Sequence, residues 1–141
     1  MSYTVMGDTV NLASRLEGAN KSYGCRCLVS EATAAACAGT VELREIDRLV
    51  VVGQSQPQTV FEIMARKGEL TSEQTLLRER YAEGLAAYRQ RRWDDAARAF
   101  TAALEAVPGD GPAIAMMARV DAYRPSPPPP EWDGAWHLER K

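Results

Sequence analysis

The chain is poor in the residues that most often carry chemistry: one histidine, His137, three cysteines and two phenylalanines among 141 residues. Cys25, Cys27 and Cys37 are too few and odd in number to build a disulfide framework, so they read as reduced thiols of a cytoplasmic protein. A metal site on Cys25-x-Cys27 lacks further ligands, because the sole histidine lies far downstream. An excess of one charge is also missing. The net charge is −2, which gives no concentrated basic face for a nucleic acid or an anionic membrane surface. Long hydrophobic runs are absent as well: Leu49 to Val52 and the alanine-rich run after Glu31 fall far short of the roughly 18 to 20 residues needed to span a bilayer. Met1-Ser-Tyr-Thr has neither a basic nor an apolar leader pattern, so no signal peptide is visible. What is present, 45% hydrophobic and 26% charged residues, is the usage of one or two small globular domains.

The first half alternates β-prone and helical patterns. Residues 3–6 form a β-prone run ending at Gly7, after which Asp8 can cap a helix over 9–21. A short strand at 26–29 follows, then a helix opened by Ser30-Glu31, then strands at 41–52 and 59–64 separated by a Gly- and Pro-containing turn at 53–58. This order predicts an α/β (α+β) layer over residues 1–66, with helices on one face of the sheet. Polar composition over 67–76 marks a linker. From 77 to 124 the pattern is helical: Leu77, Tyr81, Leu85 and Tyr88 recur at helix spacing, then Ala97, Phe100, Leu104 and Val107, then Ile114, Met117 and Val120 after Pro112. Gly84, Ala96, Phe100, Ala103 and Pro108 make this segment resemble one tetratricopeptide repeat. A single repeat cannot bury its own face, so it is expected to pack on the α/β part or on another chain. Residues 125–141 hold a proline-rich spacer and two tryptophans, Trp132 and Trp136. They read as a polyproline strap carrying both indoles back onto an apolar groove, with a ligand for a proline-recognising domain as the other reading.

The most informative run is Tyr3-Thr-Val-Met-Gly-Asp-Thr-Val-Asn-Leu-Ala-Ser-Arg-Leu-Glu17. On a helix Asn11 and Arg15 lie one turn apart on one face, while Leu12, Leu16 and Ala19 gather on another. Asn11 can donate and accept hydrogen bonds, and Arg15 offers a guanidinium fork suited to phosphate oxygens. Residue chemistry alone leaves this pair as either a solvated helix face or a nucleotide contact.

The run closely resembles the strand, turn and helix of the class III nucleotidyl cyclases, the adenylate and guanylate cyclase family. The resemblance continues through Lys21-Ser-Tyr-Gly24, Leu28-Val-Ser-Glu31, Arg44-Glu-Ile-Asp47 and Gly53 to Phe61. The tail, ending in Pro-Pro-Pro-Glu-Trp-Asp-Gly, is similar to that of bacterial adenylate cyclases carrying an extracellular CHASE2 sensor, which would make this chain a cytoplasmic part of a membrane-bound receptor. The resemblance implies a partial ferredoxin-like catalytic domain in which Asn11 orients the ribose, Arg15 stabilises charge on the phosphate where cyclisation occurs, and Thr4 takes part in reading adenine. It implies ATP as substrate, cyclic AMP and pyrophosphate as products, Mg or Mn as cofactor, and a site shared between two catalytic domains. Base choice in the family rests on two positions, of which Thr4 is the visible one, so guanine stays open.

Two departures modify that expectation. The family's metal-binding aspartates and adenine-reading lysine stand upstream of the point where this chain begins; Asp8, Glu17 and Asp47 do not replace them. The chain alone is therefore expected to be an inactive C-terminal fragment, its open sheet edge beside residues 3–6 paired with another copy or with the missing half. At Val51-Val52-Gly53-Gln54 the family usually has Val-Lys-Gly-Lys, and Val52 stands where the first lysine contacts the triphosphate. This substitution supports the alternative of a noncatalytic nucleotide-binding or dimerisation module, with the helical repeat available to a protein partner.

Overall fold

The computed structural model describes residues 28–50 and 56–137. Among them the chain runs β1 (Leu28–Ser30), α1 (Glu31–Cys37), β2 (Val41–Val50), β3 (Gln58–Arg66), α2 (Ser72–Arg89), α3 (Trp93–Ala106), α4 (Gly111–Tyr123) and β4 (Trp136–His137). The sheet order is β1-β3-β2-β4, antiparallel except for the parallel β2–β4 pair. The architecture is mixed α/β, as the alternating patterns predict.

Local chemistry accounts for the element starts. Ser30 is extended and its side chain accepts from the Thr33 amide, so the Ser30-Glu31 pair opens α1. Thr71 and Gln74 form a reciprocal capping box at the start of α2. The helix thus begins at Ser72, and the polar residues after it within 67–76 form its first turns rather than a spacer. Asp110 accepts from the Ala113 amide and Pro112 stands in the first turn of α4, where its missing N–H costs nothing.

Apolar residues of the sheet, Leu28, Ile46, Leu49 and Val60, share one core with Leu77, Tyr81, Leu85, Phe100, Met116 and Val120 of the helices. The helical half therefore buries its face on the sheet. Within the α2–α3 hairpin Gly84 sits directly under the Phe100 ring, where an added Cβ would lie 2.5 Å from a ring carbon. Gly84→Ala is expected to lower the midpoint of urea unfolding. The overpacking cost of about 1–3 kcal/mol acts against a helix-propensity gain of only about 1 kcal/mol, because Phe100 is fully buried and has no free volume to move into.

One irregularity of β2 decides which side chains meet the helices. Glu45 stands opposite Phe61 and Asp47 opposite Val60, leaving Ile46 as an extra residue. Strand side chains alternate, so without the bulge Asp47 would point away from the face that Arg44 uses. With it, Arg44, Asp47 and Leu49 all turn towards the helices.

After α4 the chain crosses back as a strap. Arg91 donates to the Pro129 carbonyl. Trp132 enters a cage of Tyr88, Trp93 and Tyr123, with ring centroids 5.2, 5.8 and 5.7 Å away. The indole N–H donates to the Ala135 carbonyl, Asp133 accepts from the Ala135 amide, and Gly134 takes φ 87°, a turn that glycine allows without steric cost. Trp136 and His137 then pair with Leu49 and Val50. Of the two tryptophans predicted to return to an apolar groove, Trp132 is seated in the chain's own aromatic cage, while Trp136 lies beside β2 over the Arg119 guanidinium.

Candidate functional site

Thr4, Asn11 and Arg15, the residues singled out from sequence, lie outside the described residues, as do Asp8, Glu17, residues 3–6, Cys25, Cys27 and Val52. The described residues instead define the charged seam that joins the cyclase-like sheet to the helical tail. Its sheet side comes from Arg44 and Asp47, both within the Arg44-Glu-Ile-Asp47 stretch.

The first half of the seam is built around Arg44, which is buried. Its Nε donates to Glu62 Oε1 at 2.8 Å, and its two terminal nitrogens donate to Asp110 at 3.2 and 2.6 Å. Its guanidinium also lies 4.8 Å from the centre of the Tyr81 ring. Burial works against the Arg44 charge, but hydrogen bonding to Asp110 and the nearby Glu62 carboxylate hold its pKa above the ordinary arginine value. Asp110 has two duties, accepting the fork and capping α4.

Burial pushes the Glu62 carboxyl above the usual range despite the attraction of Arg44. A raised folded-state pKa means that folding favours the protonated form, so this contribution is fully present below the ordinary carboxylate pKa and is lost as pH rises through the folded-state value. Wild type is therefore expected to gain stability relative to Glu62→Gln as pH falls through the carboxylate range. Urea unfolding of both proteins from neutral to acidic pH measures that shift, and a gap that widens against wild type on acidification would contradict it.

The second half is tighter. Asp47 is 0% exposed and Arg119 9% exposed. Arg119 Nη1 donates to Asp47 Oδ2 at 2.5 Å and to the Tyr88 hydroxyl at 3.3 Å, while Asp47 Oδ1 accepts from the Arg48 amide at 2.8 Å. Burial raises the Tyr88 pKa strongly, so its hydroxyl stays neutral. The Trp136 ring covers the Arg119 guanidinium at 3.8 Å. These contacts were not anticipated from sequence, although Arg119 stands out as a charge among the apolar positions Met116, Met117 and Val120 of α4.

These carboxylates do not fit a divalent cation. Asp47 is engaged by Arg119, while Glu62 and Asp110 are engaged by Arg44. Among the described residues no group of three or more histidines, cysteines or acidic residues gathers as a metal site. The surface clefts are similarly committed. An open cleft of about 640 Å³ contains Arg92, Arg98 and Arg124, but the first two pair with Asp95 and the third with Asp94. No helix among the described residues is long and apolar enough to cross a membrane.

Curated proteins supply a match. The chain is 44% identical over 64 residues to adenylate cyclase 1 of Rhizobium meliloti (strain 1021), covering 45% of this chain and 10% of that protein. It is 42% identical over 65 residues to the adenylate cyclase of Anabaena cylindrica, covering 44% of this chain and 13% of that protein. A terminal-differentiation-specific adenylate cyclase of Dictyostelium discoideum is 29% identical over 125 residues, which is 84% of this chain and 6% of that protein. No protein-family model and no solved structure matches. The chain thus spans about a tenth of the length of these relatives, and it carries a segment homologous to proteins named adenylate cyclase, in keeping with the class III resemblance.

Proposed function

We propose that this chain is the C-terminal part of a class III adenylate cyclase catalytic domain, contributing to the conversion of ATP to cyclic AMP and pyrophosphate on the cytoplasmic side of a signalling protein. The observation that carries this reading is the 44% identity over 64 residues with adenylate cyclase 1 of Rhizobium meliloti, taken with the Tyr3-to-Glu17 run. The ATP 3′-hydroxyl attacks its own α-phosphate, a new P–O bond closes the ring, and pyrophosphate leaves. Arg15 opposes the negative charge that grows on that phosphate, Asn11 orients the ribose and Thr4 contacts adenine. Bound Mg or Mn would activate the hydroxyl and grip the triphosphate; the aspartates for that task belong to a second cyclase domain, so assembly is part of the chemistry.

The second reading, a noncatalytic nucleotide-binding or dimerisation module, draws on Val52, whose neutral side chain cannot offset triphosphate charge. In it the repeat-like helices dock a protein partner through their outer surface, since their inner surface packs on the sheet. Mixing this chain with a separate cyclase half that bears the metal aspartates, then measuring ATP-dependent cyclic AMP, separates the two. The catalytic reading expects cyclic AMP and pyrophosphate in equal amounts from the mixture and none from either part alone. Tight association with no product would support the noncatalytic module.

A further inference from the structure

We propose that residues 125–137 form a latch whose closing end opens and closes over the Asp47–Arg119 ion pair while the helical hairpin stays folded. The contacts divide the strap into an arm, an anchor and a closing end. Its arm is the proline-rich stretch from 125 to 130, which is mostly exposed and tied to the hairpin where Arg91 donates to the Pro129 carbonyl. Trp132 is the anchor, held by Tyr88, Trp93 and Tyr123. The closing end is Trp136, joined to the sheet through a two-residue parallel pairing and lying over the Arg119 guanidinium. So short a pairing belongs to the low-stability end of a fold; Trp136 packs on the shared core while only partly buried, whereas the α2–α3 hairpin supplies its fully buried Tyr81, Tyr88 and Phe100.

The closing end matters because of what it covers. Arg119 and Asp47 attract strongly only while water is kept from them. Trp136 seals one side of that pair, so its departure admits solvent and weakens the hold of α4 on β2. Arg48 adds to the closure by donating to the Asp133 carbonyl at 3.2 Å. Asp47 in turn accepts from the Arg48 amide, so the same strand carries both the latch contact and the buried charge. An event at the C-terminal end can thereby reach the sheet in the stretch that resembles the cyclases. This device is independent of whether the chain takes part in catalysis.

Hydrogen exchange of the full chain, read by mass spectrometry, tests it. Trp136→Ala is expected to speed exchange by about tenfold or more across 47–50 and 132–137, with the centres of α2 and α3 unchanged. The Arg48 amide is the internal reporter of Asp47. Trp136→Phe, which keeps an aromatic face over Arg119, should restore most of the protection. Unchanged exchange at 47–50 in the alanine variant would overturn the proposal. So would an equal rise in α2 and α3, which would make Trp136 an ordinary core residue, or a phenylalanine variant that behaves like alanine.

Discussion

Replacing Arg119 by methionine is expected to lower the unfolding free energy by about 3–5 kcal/mol, the cost of leaving a buried carboxylate without its opposite charge. Asp47 is fully buried, and its Oδ2 meets Arg119 at 2.5 Å. Methionine preserves much of the arginine stem's volume, so the loss reports the charge rather than a cavity. Adding Asp47→Asn should recover a large part of the loss, because a neutral amide can still accept from the Arg48 amide and carries a far smaller desolvation cost. Urea unfolding of the wild type, both single variants and the double variant gives the coupling energy. A double variant as unstable as Arg119→Met alone would show that the buried charge is not the source.

The same pair shows where sequence reasoning stops. Periodicity predicted the helices from Leu77, Tyr81, Leu85 and Tyr88 and from Phe100 and Leu104, because packing on one side of a helix leaves a regular trace. The β2–β3 hairpin was legible from its flanking apolar runs, and α1 from Ser30-Glu31. The bulge at Ile46 left no such trace, since an extra residue reverses the alternation and a pattern of period two cannot say where that happens. The sequence therefore placed Asp47 on a strand without fixing the face it takes, and its pairing with Arg119 was not read. The capping box at Thr71 and Gln74 was visible in principle, but the polar composition around it read as a linker. The β4 pairing escaped because two residues carry no periodicity at all.

For the proposed chemistry the informative residues were legible in a different way. Asn11 and Arg15 lie outside the described residues; their spacing predicts one helical face, and the surrounding run, Tyr3 to Glu17, carries the resemblance on which they are proposed as nucleotide contacts. The buried seam then explains why the cyclase-like stretch and the helical tail belong together: Arg44 and Asp47 of that stretch are held by Asp110 and Arg119 of the tail. The alignment with the Dictyostelium discoideum cyclase, which spans 84% of this chain, extends well beyond a 65-residue segment.

Arg15→Ala is expected to reduce cyclic AMP formation in the two-part mixture by about 10²–10³-fold, the order found when one preorganised donor to a developing anion is removed. In the proposed reading its guanidinium acts on charge that appears only as the ring closes, so the fall should be in kcat with KM for ATP little changed. The decisive measurement is therefore the rate of cyclic AMP formation by wild type and Arg15→Ala, each mixed with the metal-bearing cyclase half at concentrations where both associate equally. The account predicts product from the wild-type mixture and a hundredfold or greater loss, about 2.7 kcal/mol or more, with the variant. A wild-type mixture that associates without forming cyclic AMP, or one whose rate is indifferent to Arg15, would contradict it.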